Sequence, residues 1–153
     1  MSKMETINPA TETAIATYEV MDPSAAMAKV EACHAAFLGW RSLSHRDRAP
    51  YLTKMAKALR NHADELAELM TREVGKLYRD GKTEVELCAQ IFEYTAEHGP
   101  AELADETRTH GGGEKSGIVT FSPIGVIYSV QPWNFPLYQP VRVLAANLMA
   151  GNG

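Results

Sequence analysis

Apolar residues recur at two different spacings along this chain, and the changes between them mark its elements. Ile7 to Met21 reads as strand, turn, strand: Asn8-Pro9-Ala10-Thr11 has turn chemistry, and Ala14 to Val20 carries β-branched and aromatic residues. Asp22-Pro23-Ser24 then opens a helix, with Asp22 as N-cap and Pro23 in the first helical position, where a missing N–H does no harm. Met27, Val30, Cys33, Phe37 and Trp40 form one stripe and predict that this helix runs to about Trp40. Ser44, with Asp47 following, caps a second helix whose apolar face is Leu52, Met55 and Leu59, interrupted near Asn61. A third helix is predicted from about Ala63 to Val74, stopping at Gly75. A fourth, from about Asp80 to His98, has a broad face through Val85, Cys88, Ile91, Phe92 and Thr95, and Gly99-Pro100 should end it.

Beyond it the spacing changes. Thr107 to Phe121 holds two segments of strand propensity around the glycine-rich stretch Gly111 to Gly117, which predicts a hairpin with a flexible tip. A phosphate-binding loop would need Gly-x-x-x-x-Gly-Lys-Ser/Thr; here Glu114 precedes Lys115-Ser116, and no helix follows. Gly125 to Val130 is a nearly continuous apolar run and predicts a strand buried on both faces, as in a parallel sheet. Pro132-Trp133-Asn134-Phe135-Pro136 breaks it, and Pro136 keeps Phe135 out of the α region. From about Tyr138 to Ala150 the period is helical, with Pro140 in the first turn and Gly151 as the stop. Strand, rigid loop and helix open a β-α unit, so the fold class is α/β. In such units function gathers where the loop leaves the strand.

That loop carries an amide, Asn134, between an indole and a phenyl ring and flanked by prolines. A rigid amide donor suits a developing oxyanion; alternatively it hydrogen-bonds its own loop, as many turn asparagines do. Arg142 stands among Val141, Val143 and Leu144, an apolar setting in which an unpaired charge is costly. It could grip a carboxylate with two parallel hydrogen bonds, or serve as a structural ion pair or a snorkelling surface residue. Cys33 and Cys88 form no CxxC pair and both fall in helical patterns, so they read as small buried hydrophobes. The five histidines are scattered without metal-ligand spacing, and no metal site is expected.

Composition narrows the class further. With 153 residues, 45% hydrophobic and 22% charged, the chain is long enough for one ordinary globular domain. A net charge of -4 argues against nucleic acid or an anionic membrane surface as partner. Met1 to Tyr18 has no apolar core, and no run approaches the ~20 apolar residues of a membrane helix. A cytoplasmic location is the expectation.

Pro123-x-Gly125-Val126, then Pro132 to Pro136, then Ala150-Gly151-Asn152, taken in this order, resemble the aldehyde dehydrogenase superfamily. Glu73-Val74-Gly75-Lys76 and the stretch Tyr94 to Asp105 are similar to its bacterial succinate-semialdehyde dehydrogenase members. The resemblance extends from Ile7-Asn8-Pro9-Ala10-Thr11 onward. One departure is Asn147, where the family usually has Pro or Ala; Asn is a weaker helix former.

The resemblance implies oxidation of an aldehyde, here succinate semialdehyde, to the acid. A cysteine thiolate attacks, hydride passes to NAD or NADP, and a glutamate activates water. It implies that Asn134 stabilises the oxyanion, that Val130, Gln131, Pro132 and Trp133 line the nicotinamide, that Phe135 forms a wall of the substrate tunnel, and that Arg142 meets the substrate's far carboxylate. It also implies a homo-oligomer, with the hairpin in the oligomerisation arm. Residues 1–104 would then be N-terminal strands and a helical layer, 105–122 the first part of the arm, and 123–153 the first β-α unit of a Rossmann-like cofactor domain. The family's cysteine and glutamate lie beyond this loop, so the chain resembles an N-terminal portion. Alone it is expected to be catalytically silent and prone to aggregate through an unpaired apolar strand. A non-catalytic interaction module, or another semialdehyde or acyl-phosphate oxidoreductase of the superfamily, are the competing readings.

Overall fold

The computed structural model describes residues 2–113 and 115–153; Glu114, in the glycine-rich tip, and Met1 lie outside the described residues. Strands β1 (Lys3–Ile7) and β2 (Ala14–Glu19) pair antiparallel about the predicted turn, with β1 lying ahead of the stretch from Ile7 in which the sequence places the first strand. Asn8 closes the turn between them: its side chain accepts the Ala10 N–H at 2.9 Å.

Helix α1 (Pro23–Trp40) begins at the expected cap, where the Asp22 carboxylate accepts the N–H of Ala25 at 2.8 Å. The stripe predicted along it is only half right. Phe37 is buried, but Met27 and Val30 are 58% and 48% exposed. The helix meets the rest of the molecule at its C-terminal end, where the Trp40 indole N–H donates to the Leu148 carbonyl at 3.0 Å.

The core lies between α2 (His45–Asn61), α4 (Tyr78–Glu102) and α5 (Tyr138–Ala150). Leu52 and Ala56 meet Cys88, Ala89 and Phe92, and α5 closes the cluster with Val141, Ala145 and Met149. Burying each large side chain contributes about 1.5–3 kcal/mol. Helix α3 (Ala63–Val74) packs on α4 and ends at Gly75 in the left-handed conformation.

Helix α4 runs past the stop predicted at Gly99-Pro100. Pro100 removes only one helical hydrogen bond, close to the C-terminus. Gly99 is there for close approach: a Cβ on it would lie 2.6 Å from the Met149 side chain of α5. The pair therefore marks where two helices touch, not where one ends.

Strands β3 (Glu106–His110) and β4 (Lys115–Val119) form the expected hairpin, separated from the core and exposed where its burial is described. The strand predicted over Gly125 to Val130 does not form a ladder. Ile124, Tyr128 and Val130 are 85%, 91% and 77% exposed, against the expectation of burial on both faces. A buried strand needs neighbours on both edges, and among the described residues this segment meets one. The Gly153 N–H donates to the Gly125 carbonyl at 3.0 Å, and the Ile127 N–H donates to the Gly153 carbonyl at 2.8 Å. That is a single step of parallel pairing about Val126 and Gly153.

Candidate active site

The stretch 124–138, made of this extended segment and the loop to α5, is tied down at both ends. At its start, Asn152 accepts the N–H groups of Ile124 at 2.7 Å and Gly125 at 3.2 Å. Asn152 also donates to the Asn147 side-chain oxygen at 3.0 Å, and Asn147 donates to the Val143 carbonyl at 2.9 Å. Asn147, unusual on sequence grounds, is thus half of an amide pair that fixes the turn after α5.

At the loop's end the anchor is Glu84 of α4. The residue is only 3% exposed. One oxygen accepts the backbone N–H groups of Leu137 at 3.0 Å and Tyr138 at 2.9 Å, the first donors of α5. Leu137 offers no capping side chain of its own, so Glu84 does the work of an N-cap from another helix. Its other oxygen pairs with the Lys76 ammonium, which lies 3.8 Å from the centre of the Phe135 ring. Neither Lys76 nor Glu84 was among the residues singled out as functional. The available signal was a carboxylate one turn ahead of Cys88 on the buried face of α4.

Between these anchors Trp133 is 76% exposed and Asn134 is exposed. Among the described residues the Asn134 amide has no hydrogen-bond partner, so the alternative in which it braces its own loop is not the geometry found. Phe135 packs edge-on against Tyr138, with ring centres 6.0 Å apart. The Arg142 guanidinium lies 5.9 Å from the Tyr138 ring centre.

Arg142 corrects the sequence reading in one respect. It is exposed, off the buried stripe of Val141, Ala145 and Met149, so no buried unpaired charge demands an explanation. Among the described residues it makes no ion pair. Phe135 and Arg142 both lie near Tyr138.

The residues expected beside the nicotinamide do not converge in one place. Gln131 alone among them lines a hollow of about 210 Å³ between the extended segment and α5, with Ile127, Pro140, Leu144 and Asn152. Val130, Pro132 and Trp133 stand outside it and exposed.

Cys88 is fully buried in the core, and burial, with the Glu84 charge adding to it, pushes its thiol up to about 12. It is a packing residue, as expected. Cys33 is half-buried. Among the described residues no group of three or more His, Cys, Asp and Glu could hold a metal ion. Among them, too, no helix is long and apolar enough to cross a membrane.

Comparisons with known proteins give this loop its context. Succinate-semialdehyde dehydrogenase [NADP(+)] of Deinococcus radiodurans is 37% identical over 147 residues, which is 96% of this chain and 30% of that protein. The Mycobacterium tuberculosis protein called succinate-semialdehyde dehydrogenase [NADP(+)] 1 is 39% identical over 148 residues, 96% of this chain and 32% of that one. The crystal structure of succinic semialdehyde dehydrogenase from Streptococcus pyogenes in complex with NADP+ superposes with a TM-score of 0.89 at 34% identity, covering 97% of this chain and 32% of that one. The chain therefore spans about a third of the length of these relatives, and its architecture is that of the N-terminal part of their α/β fold. The aldehyde dehydrogenase family model matches residues 1–153, and it is to that family that this chain belongs.

Proposed function

We propose that this chain is part of an NADP- or NAD-dependent enzyme that oxidises succinate semialdehyde or a close relative to the acid, with Asn134 as the donor to the reacting oxygen. The observation that carries the reading is the Asn134 amide: exposed, without a partner among the described residues, and held on a loop whose α5 end Glu84 anchors. A donor left unpaired in a braced segment is free for a substrate oxygen and needs little reorganisation when charge develops there.

The other roles follow from neighbourhood. Phe135 offers an apolar wall, and Arg142, two turns of helix away at most, offers a cation for the far carboxylate of a four-carbon semialdehyde. Exposed Val130 and Trp133 offer apolar surface to a nicotinamide, while Gln131 lines the separate hollow against α5. Bound there, a nicotinamide would accept hydride from the substrate. This chain's part is to orient the aldehyde and shield one side of it. The buried Cys88, with its raised thiol pKa, is no candidate nucleophile. We assign the nucleophilic cysteine and the water-activating glutamate to residues outside 1–153. The helical layer and the first β-α unit would then serve one cofactor domain, and the 105–122 hairpin would join a second subunit.

The test is turnover by the whole protein encoded with this segment. Cofactor reduction with succinate semialdehyde should exceed that with butanal in kcat/KM. Equal rates on the two would remove the carboxylate-bearing substrate, and no cofactor reduction with any aldehyde would remove the reading.

A further inference from the structure

Glu84 is the least expected group in this part of the molecule. It is a carboxylate 3% exposed on the face of α4 that also buries Val85, Cys88 and Ala89. Its partner Lys76 retains 14% side-chain exposure. Withdrawing two charges from water is costly, and well-packed apolar replacements for such pairs are often neutral or stabilising. Stability alone is therefore a weak reason for this pair.

Its connections suggest another. Lys76 follows Gly75, the residue that ends α3, and its own N–H reaches back to the Met70 carbonyl at 3.4 Å. Glu84 belongs to the interior of the N-terminal half of α4. Through this one pair, α3 and α4 hold the loop at two independent points. Glu84 takes the N–H groups of Leu137 and Tyr138, and Lys76 sits against the Phe135 ring. Asn134 is the chain neighbour of Phe135, so the backbone that carries its amide lies directly beside both points.

We propose that Lys76 and Glu84 are a positioning pair for the reaction, fixing Phe135 and, through it, the Asn134 amide. Neither touches the reacting atoms. The inference rests on the aldehyde-oxidation reading of the loop. A productive donor must be held within roughly 0.5 Å of its working place, and a misplacement of about 1 Å can cost about 100-fold in rate. The charge matters because a Gln at position 84 still offers an oxygen to Leu137 and Tyr138 but no longer holds an ammonium on the ring.

The test is made in the whole protein. In the double variant Lys76→Met, Glu84→Gln the shape and the N–H acceptor remain while both charges go. Thermal unfolding should stay close to that of the parent, kcat should fall about 10- to 100-fold, and the KM for cofactor should hold. Lys76→Arg, which keeps a cation over the ring, should restore kcat to within a few-fold. An unchanged kcat per folded site in the double variant would overturn the proposal, as would failure of the arginine to restore it.

A second readout needs no turnover. In Glu84→Ala, amide hydrogen exchange over 131–139 should quicken at least about tenfold, with the α2 and α5 core amides still protected. Exchange that is unchanged, or faster throughout, would sink the positioning role. If the parent protein oxidises no aldehyde, the functional reading fails by itself, and this exchange measurement still decides whether the pair places the loop.

Discussion

Asn152 accepts the N–H groups of Ile124 and Gly125 from across 28 residues of chain, at 2.7 Å to the first. The Asn152 residue is almost fully buried, while Ile124 is 85% exposed and Gly125 half-buried, so water can reach the donor side once the acceptor is gone. Asn152→Ala would leave them and the Asn147 amide oxygen unpaired. Each buried group left without a partner costs about 1–3 kcal/mol. We expect a loss at the low end of that range, about 1 kcal/mol, in chemical denaturation of the whole protein, and a smaller loss for Asn147→Ala, which is only half-buried. Equal denaturation midpoints for Asn152→Ala and the parent would show that the contact contributes nothing.

Gly151 presents a different constraint. Its φ is 93°, and a Cβ there would lie 2.5 Å from the Arg48 guanidinium. Arg48 is itself buried, donating to the carbonyls of Met149 at 2.9 Å and Arg41 at 3.0 Å, and so closes the C-terminal ends of α1 and α5. Gly75 shares the left-handed conformation, but its Cβ would meet only Pro9 at 3.4 Å. Both alanine substitutions pay the conformational term of about 1–2 kcal/mol; Gly151→Ala alone must also displace Arg48. Denaturation should therefore show the Gly151 variant clearly less stable than the Gly75 variant, and equal losses would mean that the Arg48 contact yields freely.

His45 ties stability to pH. Partial burial, with the nearby Arg48 charge, holds its imidazole below the ordinary 6.5. The unfolded chain then binds a proton at a higher pH than the folded one. Stability from this group is complete above about 6.5 and is lost as pH falls below it through the folded value. Replacing His45 by Gln should flatten the dependence between pH 7.5 and 5 on the whole protein. An unaltered slope would place the proton uptake elsewhere.

Much of this was legible along the chain because local chemistry carried it. Asp22 capped α1, Ser44 capped α2 and Gly75 and Gly151 ended their helices as their residue types dictate. The failures arise where the deciding partner is distant. Gly99 looked like a stop because nothing near it in sequence announces Met149. Gly125 to Val130 looked like a buried strand because its composition fits one, but burial needs sheet neighbours, and among the described residues only Gly153 supplies a step of pairing. Among the residues of the proposed site, Asn134 and Arg142 could be picked out by residue type and setting, and Phe135 only through the family resemblance. Glu84 could not, since its meaning comes from the N–H groups of Leu137 and Tyr138 53 and 54 residues away.

Asn134 gives the most direct test of the chemistry. If its amide stabilises the developing oxyanion, Asn134→Ala should lower kcat by about 10²–10³. Cofactor affinity should change little, because the side chain makes no hydrogen bond among the described residues that would shape the loop. Near-normal kcat in the variant would return Asn134 to the role of an ordinary turn residue.

Substitution of Arg142 tests the proposed substrate class. It is exposed on α5, makes no ion pair among the described residues, and lies 5.9 Å from the centre of a Tyr138 ring that also packs on Phe135. A substrate running along Phe135 would present its far end to this guanidinium. A hydrogen bond to a charged group contributes about 1.5–3 kcal/mol, so in the whole enzyme Arg142→Ala should lower kcat/KM for succinate semialdehyde about 10- to 100-fold. The same variant should treat butanal nearly as the parent does, since that aldehyde has no carboxylate to lose. Exposure of the side chain argues that the fold survives its removal, which makes the comparison clean. Parallel losses on both aldehydes would assign Arg142 to support of the loop through Tyr138, and a preference for dicarboxylate semialdehydes would have to come from other residues.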